Sequence, residues 1–221
     1  MKRLCMLIIA LWTCAAGGDV TEIRQWKAAP GRSAEMMHSA VEARAIQQKL
    51  GATVFIGVDQ MGILHYAVTF PDWSGWAAFV QAGAASKDWQ AFMTKFDVAN
   101  PNSTNIATYY LETPVVAKTQ AVTAVYSWDV DYKVPGAFDR MMAGAEKSVK
   151  IHSALGASPG INVDQLGNIH YELTFDSWAS WAKFGAALPK NAEWNALLKD
   201  ANEHPSAELV QVYLIETYQG P

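Results

Sequence analysis

A segment of 22 residues occurs twice in this chain, and this repeat constrains the fold more than any other feature. VDQMGILHYAVTFPDWSGWAAF begins at Val58, and VDQLGNIHYELTFDSWASWAKF begins at Val163, 105 residues later, with 12 identical positions. An internal repeat at this spacing indicates two structural units of about 100 residues, each large enough for a modest core. Residues that both copies retain can therefore be distinguished from residues that changed.

The first 16 residues are typical of a signal peptide. A pair of basic residues precedes an apolar run over 4–12, and small residues follow up to Ala16. We therefore expect cleavage after Ala16 and an exported, periplasmic or secreted chain. Lipid attachment at Cys14 is the less favoured alternative, because the residues before it fit such a site poorly. No later stretch has the roughly 20 apolar residues that a membrane span needs, so no integral membrane segment is expected after cleavage.

Composition excludes several classes of site from the remainder of the chain. The two cysteines are Cys5 and Cys14, so the chain after Ala16 has no disulfide, thiol nucleophile or cysteine-based metal site. After removal of Lys2 and Arg3 with the signal peptide, 15 of the 17 basic side chains and all 21 acidic ones remain, which gives a formal charge of −6. This charge argues against a nucleic acid or an anionic membrane as partner.

Hydrophobic periodicity and turn residues predict the order βαββαβ in each copy. The predicted strands are 20–26, 53–59, 63–70 and 105–112 in the first copy, and 122–128, 160–164, 168–175 and 209–216 in the second. The predicted helices are 34–50, 72–79 and a segment around Trp89 in the first copy, and 137–155 and 177–187 in the second. The domains are then a first repeat over 17–113, a linker over 114–121 and a second repeat over 122–221.

This element order is the ferredoxin-like motif of the α+β class, an antiparallel sheet with its helices on one face. The opposite face of each sheet needs a partner, which the other copy supplies if the two sheets pack face to face into one pseudo-dimeric α+β barrel. Together with the doubled HY…F…W..W pattern, the order resembles the dimeric α+β barrel superfamily, which includes antibiotic-biosynthesis-monooxygenase-like and NIPSNAP-like domains. Here two units are fused in one chain, and the resemblance covers essentially all of it after Ala16.

The duplication separates structural aromatic residues from candidate functional ones. Eight tryptophans form four matched pairs, and three of these pairs are expected to pack in the cores: Trp73/Trp178, Trp76/Trp181 and Trp89/Trp194. Among the histidines, only His65 and His170 match. The other three, His38, His152 and His204, are expected at the solvated surface. Asp59 and Asp164 precede the hairpin glycines, and turn formation explains them.

Strand alternation predicts which side chains enter the barrel. In the third strand of each copy the bulky residues face the helices, so the candidate catalytic residues His65, His170 and Glu172 face the interior. With Ile23 and Val125 assigned to the helix side of the first strands, the predicted ligand-binding residues are Arg24, Trp26, Phe55, Tyr126, Trp128, Asn162 and Asn168. The orientation of Tyr109 and Tyr213 in the last strands remains open.

These residues favour a small-molecule site inside the barrel. The resemblance implies cofactor-free oxygenation, isomerisation or simple binding of a hydrophobic or aromatic compound, so no cofactor is expected. His65 or His170 would then act as general base, with Glu172 orienting His170 or sharing its proton. One alternative is a non-catalytic exported module that acts by self-association or partner binding. A weaker alternative is haem or metal binding, although no metal-ligand spacing is present.

Overall fold

The computed structural model describes residues 19–95, 100–218 and 220. The signal peptide predicted over 1–16 lies outside these residues. Within them, no helix combines the length and the apolar character that crossing a membrane requires.

Each repeat has the predicted βαββαβ order with an additional helix before its last strand. The first repeat comprises β1 (Asp19–Ala28), α1 (Ser33–Lys49), β2 (Thr53–Asp59), β3 (Ile63–Phe70), α2 (Trp73–Ala85), α3 (Lys87–Met93) and β4 (Ser103–Val115). The second comprises β5 (Val122–Val130), α4 (Ala137–Ala154), β6 (Ser158–Asp164), β7 (Ile169–Phe175), α5 (Trp178–Ala187), α6 (Ala192–Glu203) and β8 (Ala207–Thr217). A 3₁₀ turn containing Pro189 separates α5 from α6. The matched helices α2 and α5 both begin at a capping side chain, Asp72 or Ser177, that accepts a backbone hydrogen bond.

The eight strands form one closed antiparallel barrel in the order β1-β3-β2-β8-β5-β7-β6-β4. Within each repeat the hairpin partners pair directly, and the two repeats join where β2 pairs with β8 and β4 pairs with β6. The predicted fold class, two ferredoxin-like repeats closed into a pseudo-dimeric α+β barrel, is therefore confirmed. The helices cover the outside, where each repeat has its own apolar core.

The register of the first strands contradicts one prediction from alternation. Glu22 pairs with Val68 and Trp26 with Leu64, and residues directly opposite each other project from the same face of a sheet. The even-numbered side chains of β1 therefore face the helices, and the same holds for β5, where Trp128 pairs with Ile169. The predicted inward orientation is wrong for Arg24, Trp26, Tyr126 and Trp128.

The physical reason is that the helix face of β1 buries a charged residue. Glu22 is 4% exposed and accepts hydrogen bonds from Nε1 of Trp76 and from the guanidinium of Arg24. These partners compensate the desolvation of its carboxylate. Ile23 and Val125, which were assigned to the helix side because they are apolar, instead line the barrel interior.

A buried tyrosine under the first helix of each repeat has a different partner in each copy. The hydroxyl of Tyr66 donates to Oε1 of Gln47 at 2.7 Å, and the hydroxyl of Tyr171 contacts Nδ1 of His152 at 3.0 Å. His152 is 3% exposed, so its predicted surface position is wrong, whereas His38 and His204 are exposed. The other ring nitrogen of His152, Nε2, is a buried atom without a hydrogen-bond partner among the described residues. Burial lowers the pKa of His152 to about 4.

The paired tryptophans of α2 and α5 do not all lie in the cores. Trp76 and Trp181 pack against them, but Trp73 and Trp178 are 37% and 45% exposed. Trp73 lies over the outer face of β4, where its Nε1 donates to Glu112 at 2.9 Å. The core position predicted for Trp73 and Trp178 is wrong. Each is the first residue of its helix, so its side chain lies beyond the part of the sheet that the helix shields from solvent.

Candidate functional site

A cavity of about 280 Å³ lies inside the barrel and is lined by all eight strands. Threonines surround the end at which β1 and β5 begin, and linker residues 116–119 border this end. Two hydrogen bonds hold the linker there, from Lys118 N to Ser158 Oγ and from Thr174 Oγ1 to Lys118 O. Histidine and tyrosine side chains line the interior towards the other end. Among the described lining residues, Lys118 is the only lysine or arginine.

Both matched histidines are fixed by a matched aspartate. Nε2 of His65 lies 3.0 Å from Oδ2 of Asp59, and Nε2 of His170 lies 3.3 Å from Oδ2 of Asp164. The other oxygen of each aspartate accepts backbone N–H groups of its hairpin, so one side chain both forms the turn and orients the histidine. Burial lowers the pKa of His65, and the hydrogen bond and charge of Asp59 oppose part of this shift.

Two tyrosines connect the histidines across the repeats. The ring of Tyr213 stacks on His65 with centroids 4.7 Å apart, and the ring of Tyr109 stacks on His170 at 5.4 Å. The two tyrosine hydroxyls meet at 3.3 Å. Burial raises the pKa of both tyrosines, so both are neutral hydrogen-bond donors near neutral pH. The result is a polar layer across the barrel with approximate two-fold symmetry.

The two histidines differ in their third partner. Ser127, opposite His170 on β5, has its Oγ 2.9 Å from Nδ1 of His170. Since Nε2 donates its proton to Asp164, Nδ1 accepts the proton of the Ser127 hydroxyl. Gln25 occupies the corresponding position opposite His65, and its side chain hydrogen-bonds to Tyr109 instead. Both ring nitrogens of His170 are therefore engaged.

The second repeat carries a buried carboxylate that the first repeat lacks. Glu172 faces the cavity beside Asn162, which hydrogen-bonds to it, and burial raises the pKa of this glutamate while that bond opposes the shift. Asn162 is held in turn by Thr113, whose Oγ1 donates to Oδ1 of Asn162 at 2.7 Å. Gly160, directly opposite Glu172, provides the space: a Cβ there would lie 2.6 Å from Oε1 of the glutamate.

The structure brings five of the ten predicted site residues together in the cavity: His65, His170, Glu172, Phe55 and Asn162. Arg24, Trp26, Tyr126 and Trp128 lie on the helix side. Asn168 is at the hairpin, where its amide donates to Asp164 Oδ2 at 3.2 Å, so its predicted place in the cavity is wrong. Within residues 19–95, 100–218 and 220, no three His, Cys, Asp or Glu side chains are grouped to hold a metal ion.

Reasoning from the sequence left Tyr109 and Tyr213 unassigned and omitted Gln25 and Ser127. The tyrosines are followed by Tyr110 and Leu214, so both faces of each last strand look apolar. The available signal was the match between Tyr109 and Tyr213 in the two copies. Gln25 and Ser127 do not match in type, and only the register places each one opposite a histidine.

Comparison by sequence identifies no relative. No protein-family model matches the chain, and no curated protein is recognisably similar to it. Solved structures nevertheless share its fold. A proposed monooxygenase from Fusobacterium nucleatum superposes with a TM-score of 0.64 at 7% identity, over 91% of this chain and 93% of that one.

Two further structures have the same architecture. An anthrone oxidase-like protein has a TM-score of 0.58 at 7% identity, over 91% of this chain and 92% of the other. A haem-binding protein from Thermus thermophilus has a TM-score of 0.52 at 10% identity, over 91% of this chain and 92% of the other. At these identities the similarity concerns the fold alone.

Proposed function

We propose that this chain, with the dimeric α+β barrel fold in a single polypeptide, binds a small phenolic or enolisable molecule inside the barrel and removes a proton from it. The observation that carries the proposal is the carboxylate of Glu172, which is enclosed with two tyrosine hydroxyls and an amide around a cavity of about 280 Å³. Enclosures with a few convergent polar groups are the usual form of small-molecule sites. The signal peptide predicted over 1–16 supports an exported location.

The size and charge of the cavity favour a small and neutral ligand. Ligand pockets for drug-sized molecules begin near about 300 Å³, and a cavity of roughly 150 Å³ already accommodates benzene. One aromatic ring with short substituents therefore fits the available volume. A neutral ligand is favoured over an anion because Glu172 faces the cavity and the only lysine or arginine among the described lining residues, Lys118, lies in the linker.

Glu172 is the general base in this proposal. Burial raises the pKa of Glu172, and a carboxylate with a raised pKa is a stronger base. The proton of a phenol, or of a carbon beside a carbonyl, passes to the carboxylate, and the electron pair of the broken bond becomes an oxyanion. The hydroxyls of Tyr109 and Tyr213 share one hydrogen bond, so the hydroxyl that accepts in this bond keeps its own proton to donate to the oxyanion. Proton removal is a common first step of isomerisation and of cofactor-free oxygenation.

The two histidines are positioning residues in this scheme. His170 already uses Nδ1 to accept from Ser127 and Nε2 to donate to Asp164, so accepting a substrate proton would require a rearrangement. Each histidine instead stacks on a tyrosine and fixes the direction of its hydroxyl. We therefore assign the base to Glu172 rather than to His65 or His170.

Haem does not fit the residues present. Among the described residues, His152 is the buried histidine on a helix with a ring nitrogen lacking a partner, but the rings of Trp194, Phe184 and Tyr171 surround it with centroids 4.7, 5.3 and 5.6 Å away. These rings fill the space that a macrocycle would need. The barrel cavity is also below the usual size for drug-sized ligands.

Binding of 4-nitrophenol tests the proposal. This probe changes colour when it loses its proton, so saturable absorption changes report both its binding and its ionisation. We expect saturable binding to the wild-type chain and at least tenfold weaker binding to a variant with Gly160→Phe and Glu172→Ala, because a phenyl ring then replaces the carboxylate. This exchange copies the Phe55/Ala67 pair of the first repeat but leaves Asn162 where the first repeat has Gly57, so thermal melting verifies that the variant folds. Absence of binding to the wild type, or equal binding to the folded variant, contradicts the proposal.

A further inference from the structure

At two facing positions in the cavity, the large and the small side chain are exchanged between the repeats. On β2 and β3, Phe55 is directly opposite Ala67, whereas on β6 and β7 Gly160 is directly opposite Glu172. The large residue is thus on the hairpin's first strand in one repeat and on its second strand in the other. Because a Cβ at position 160 would lie 2.6 Å from Oε1 and 2.8 Å from Cγ of Glu172, the glutamate side chain can adopt its present conformation only over a glycine.

These two pairs lie on opposite walls of the same cavity. The order of the barrel places β3 and β2 between β1 and β8, and β7 and β6 between β5 and β4. The neighbouring lining positions keep their apolar or aromatic character, as in Ile23/Val125, Leu111/Ile215 and Tyr109/Tyr213. A third position also differs sharply in polarity between the repeats, because Gly57 corresponds to Asn162. The second repeat therefore has glycine, asparagine and glutamate at the three positions where the first has phenylalanine, glycine and alanine.

The phenyl ring of Phe55 occupies the part of the first repeat that corresponds to the acid site. It packs against the interior cluster of Val125, Tyr213 and Ile215 at the junction of β2 with β8. In the second repeat the side chain of Glu172 lies over Gly160, and in the first repeat the ring of Phe55 lies opposite Ala67. The position of the acid site in the second repeat is thus an apolar wall in the first.

We propose that Phe55 determines ligand specificity by blocking the second half-site, so that one ligand binds with its polar group at Glu172 and its apolar end against the phenyl ring. This inference rests on the proposed function and adds the orientation and the length limit of the ligand. The expected ligands are phenols or enols whose substituent opposite the hydroxyl is short. Longer substituents are excluded by the ring of Phe55.

Calorimetric titration of the full chain with 4-methylphenol and 4-butylphenol tests this length limit. The wild type should bind 4-methylphenol at least tenfold more tightly than 4-butylphenol, since a single methylene in a closed pocket is worth about tenfold or more. Phe55→Ala should reverse this order, because removing the ring opens the blocked half-site. Leu111→Ala is the matched control: it also enlarges the cavity, but on β4, which pairs with the strand that carries Gly160.

The outcomes separate this inference from the proposed function. If the wild type binds neither phenol, the proposed function fails. If it binds 4-methylphenol but Phe55→Ala keeps the wild-type order, or Leu111→Ala reverses the order equally, the role of Phe55 is overturned. Thermal melting of each variant verifies folding, and Phe55→Leu, which retains more volume, replaces Phe55→Ala in the titration if the latter does not fold.

Discussion

Glu172→Gln is expected to slow hydrogen exchange of a small ketone by about 10²- to 10⁴-fold relative to the wild type, the usual contribution of a general base. Glutamine retains the shape and a hydrogen bond to Asn162 but cannot accept the proton. The measurement is deuterium incorporation beside the carbonyl of indan-2-one in D₂O, followed by NMR. Exchange that is as fast in the folded variant as in the wild type would exclude Glu172 as the base.

The rate of hydrogen exchange should also depend on pH, in a direction that the pKa of Glu172 determines. Exchange requires the ionised carboxylate, so its rate should fall as the pH decreases through the pKa of Glu172, which lies above the ordinary value of a glutamate. The shift also affects stability. A carboxyl with a raised pKa in the folded state loses stability as the pH rises from the unfolded pKa through the folded one. Glu172→Gln removes that loss, so the variant should be at least as stable as the wild type near pH 7.

This stability effect distinguishes loss of the base from loss of the fold. A variant that exchanges slowly but melts at the wild-type temperature or above has lost chemistry only. Glu146→Gln is a suitable control, because Glu146 is exposed on α4 and is remote from the residues that line the cavity. It removes one carboxylate without affecting the interior, and its exchange rate should equal that of the wild type.

His152→Gln is expected to make the protein more resistant to mild acid by about 3 kcal/mol at pH values near 4. The folded pKa of His152 is about 4, against 6.5 for the ordinary side chain. A histidine with a depressed pKa contributes no loss above pH 6.5, and stability falls as the pH decreases from 6.5 to 4 because the unfolded chain takes up the proton. Glutamine does not titrate and can accept the Tyr171 hydroxyl, as Gln47 accepts that of Tyr66.

Urea unfolding of the wild type and of His152→Gln at pH 7.5, 5.5 and 4 measures this difference in stability. The free energies of unfolding should diverge progressively as the pH falls, with the histidine form losing more. Gln47→His provides the reciprocal control in the first repeat, and it should introduce acid sensitivity there because the same buried tyrosine is the partner. Parallel pH profiles for the wild type and His152→Gln would contradict the prediction, because they would show that the pKa of His152 is the same in the folded and unfolded chain.

The third strands were predictable because their two faces differ clearly. His65 and His170 alternate with bulky residues in both copies, so the sequence indicates their inward orientation without knowledge of the pairing. The first strands gave no such contrast. Ile23 is apolar and faces the cavity, whereas Glu22 is charged and lies under a helix, where Trp76 and Arg24 satisfy its carboxylate.

The central layer of the site could not be inferred from either repeat alone. Tyr213 stacks on His65 and Tyr109 on His170, so each contact joins residues of different repeats. The partner is set by the junctions of β2 with β8 and β4 with β6, which no local pattern encodes. Likewise, Ser127 approaches His170 only because the register of β5 and β7 puts them opposite each other.

The repeat, read with strand and helix periodicity, was sufficient for the fold, because hydrophobic patterns and turn residues act over a few neighbours and the duplication supplies the partner for each bare sheet face. It also identified His65 and His170 as matched inward residues. Closure of the barrel decided the rest: which face of β1 and β5 is inside, which tyrosine meets which histidine, and which side chains lie opposite Glu172. These depend on strand register and on contacts between residues far apart in the sequence, and such long-range pairings are set by the packing of the whole barrel.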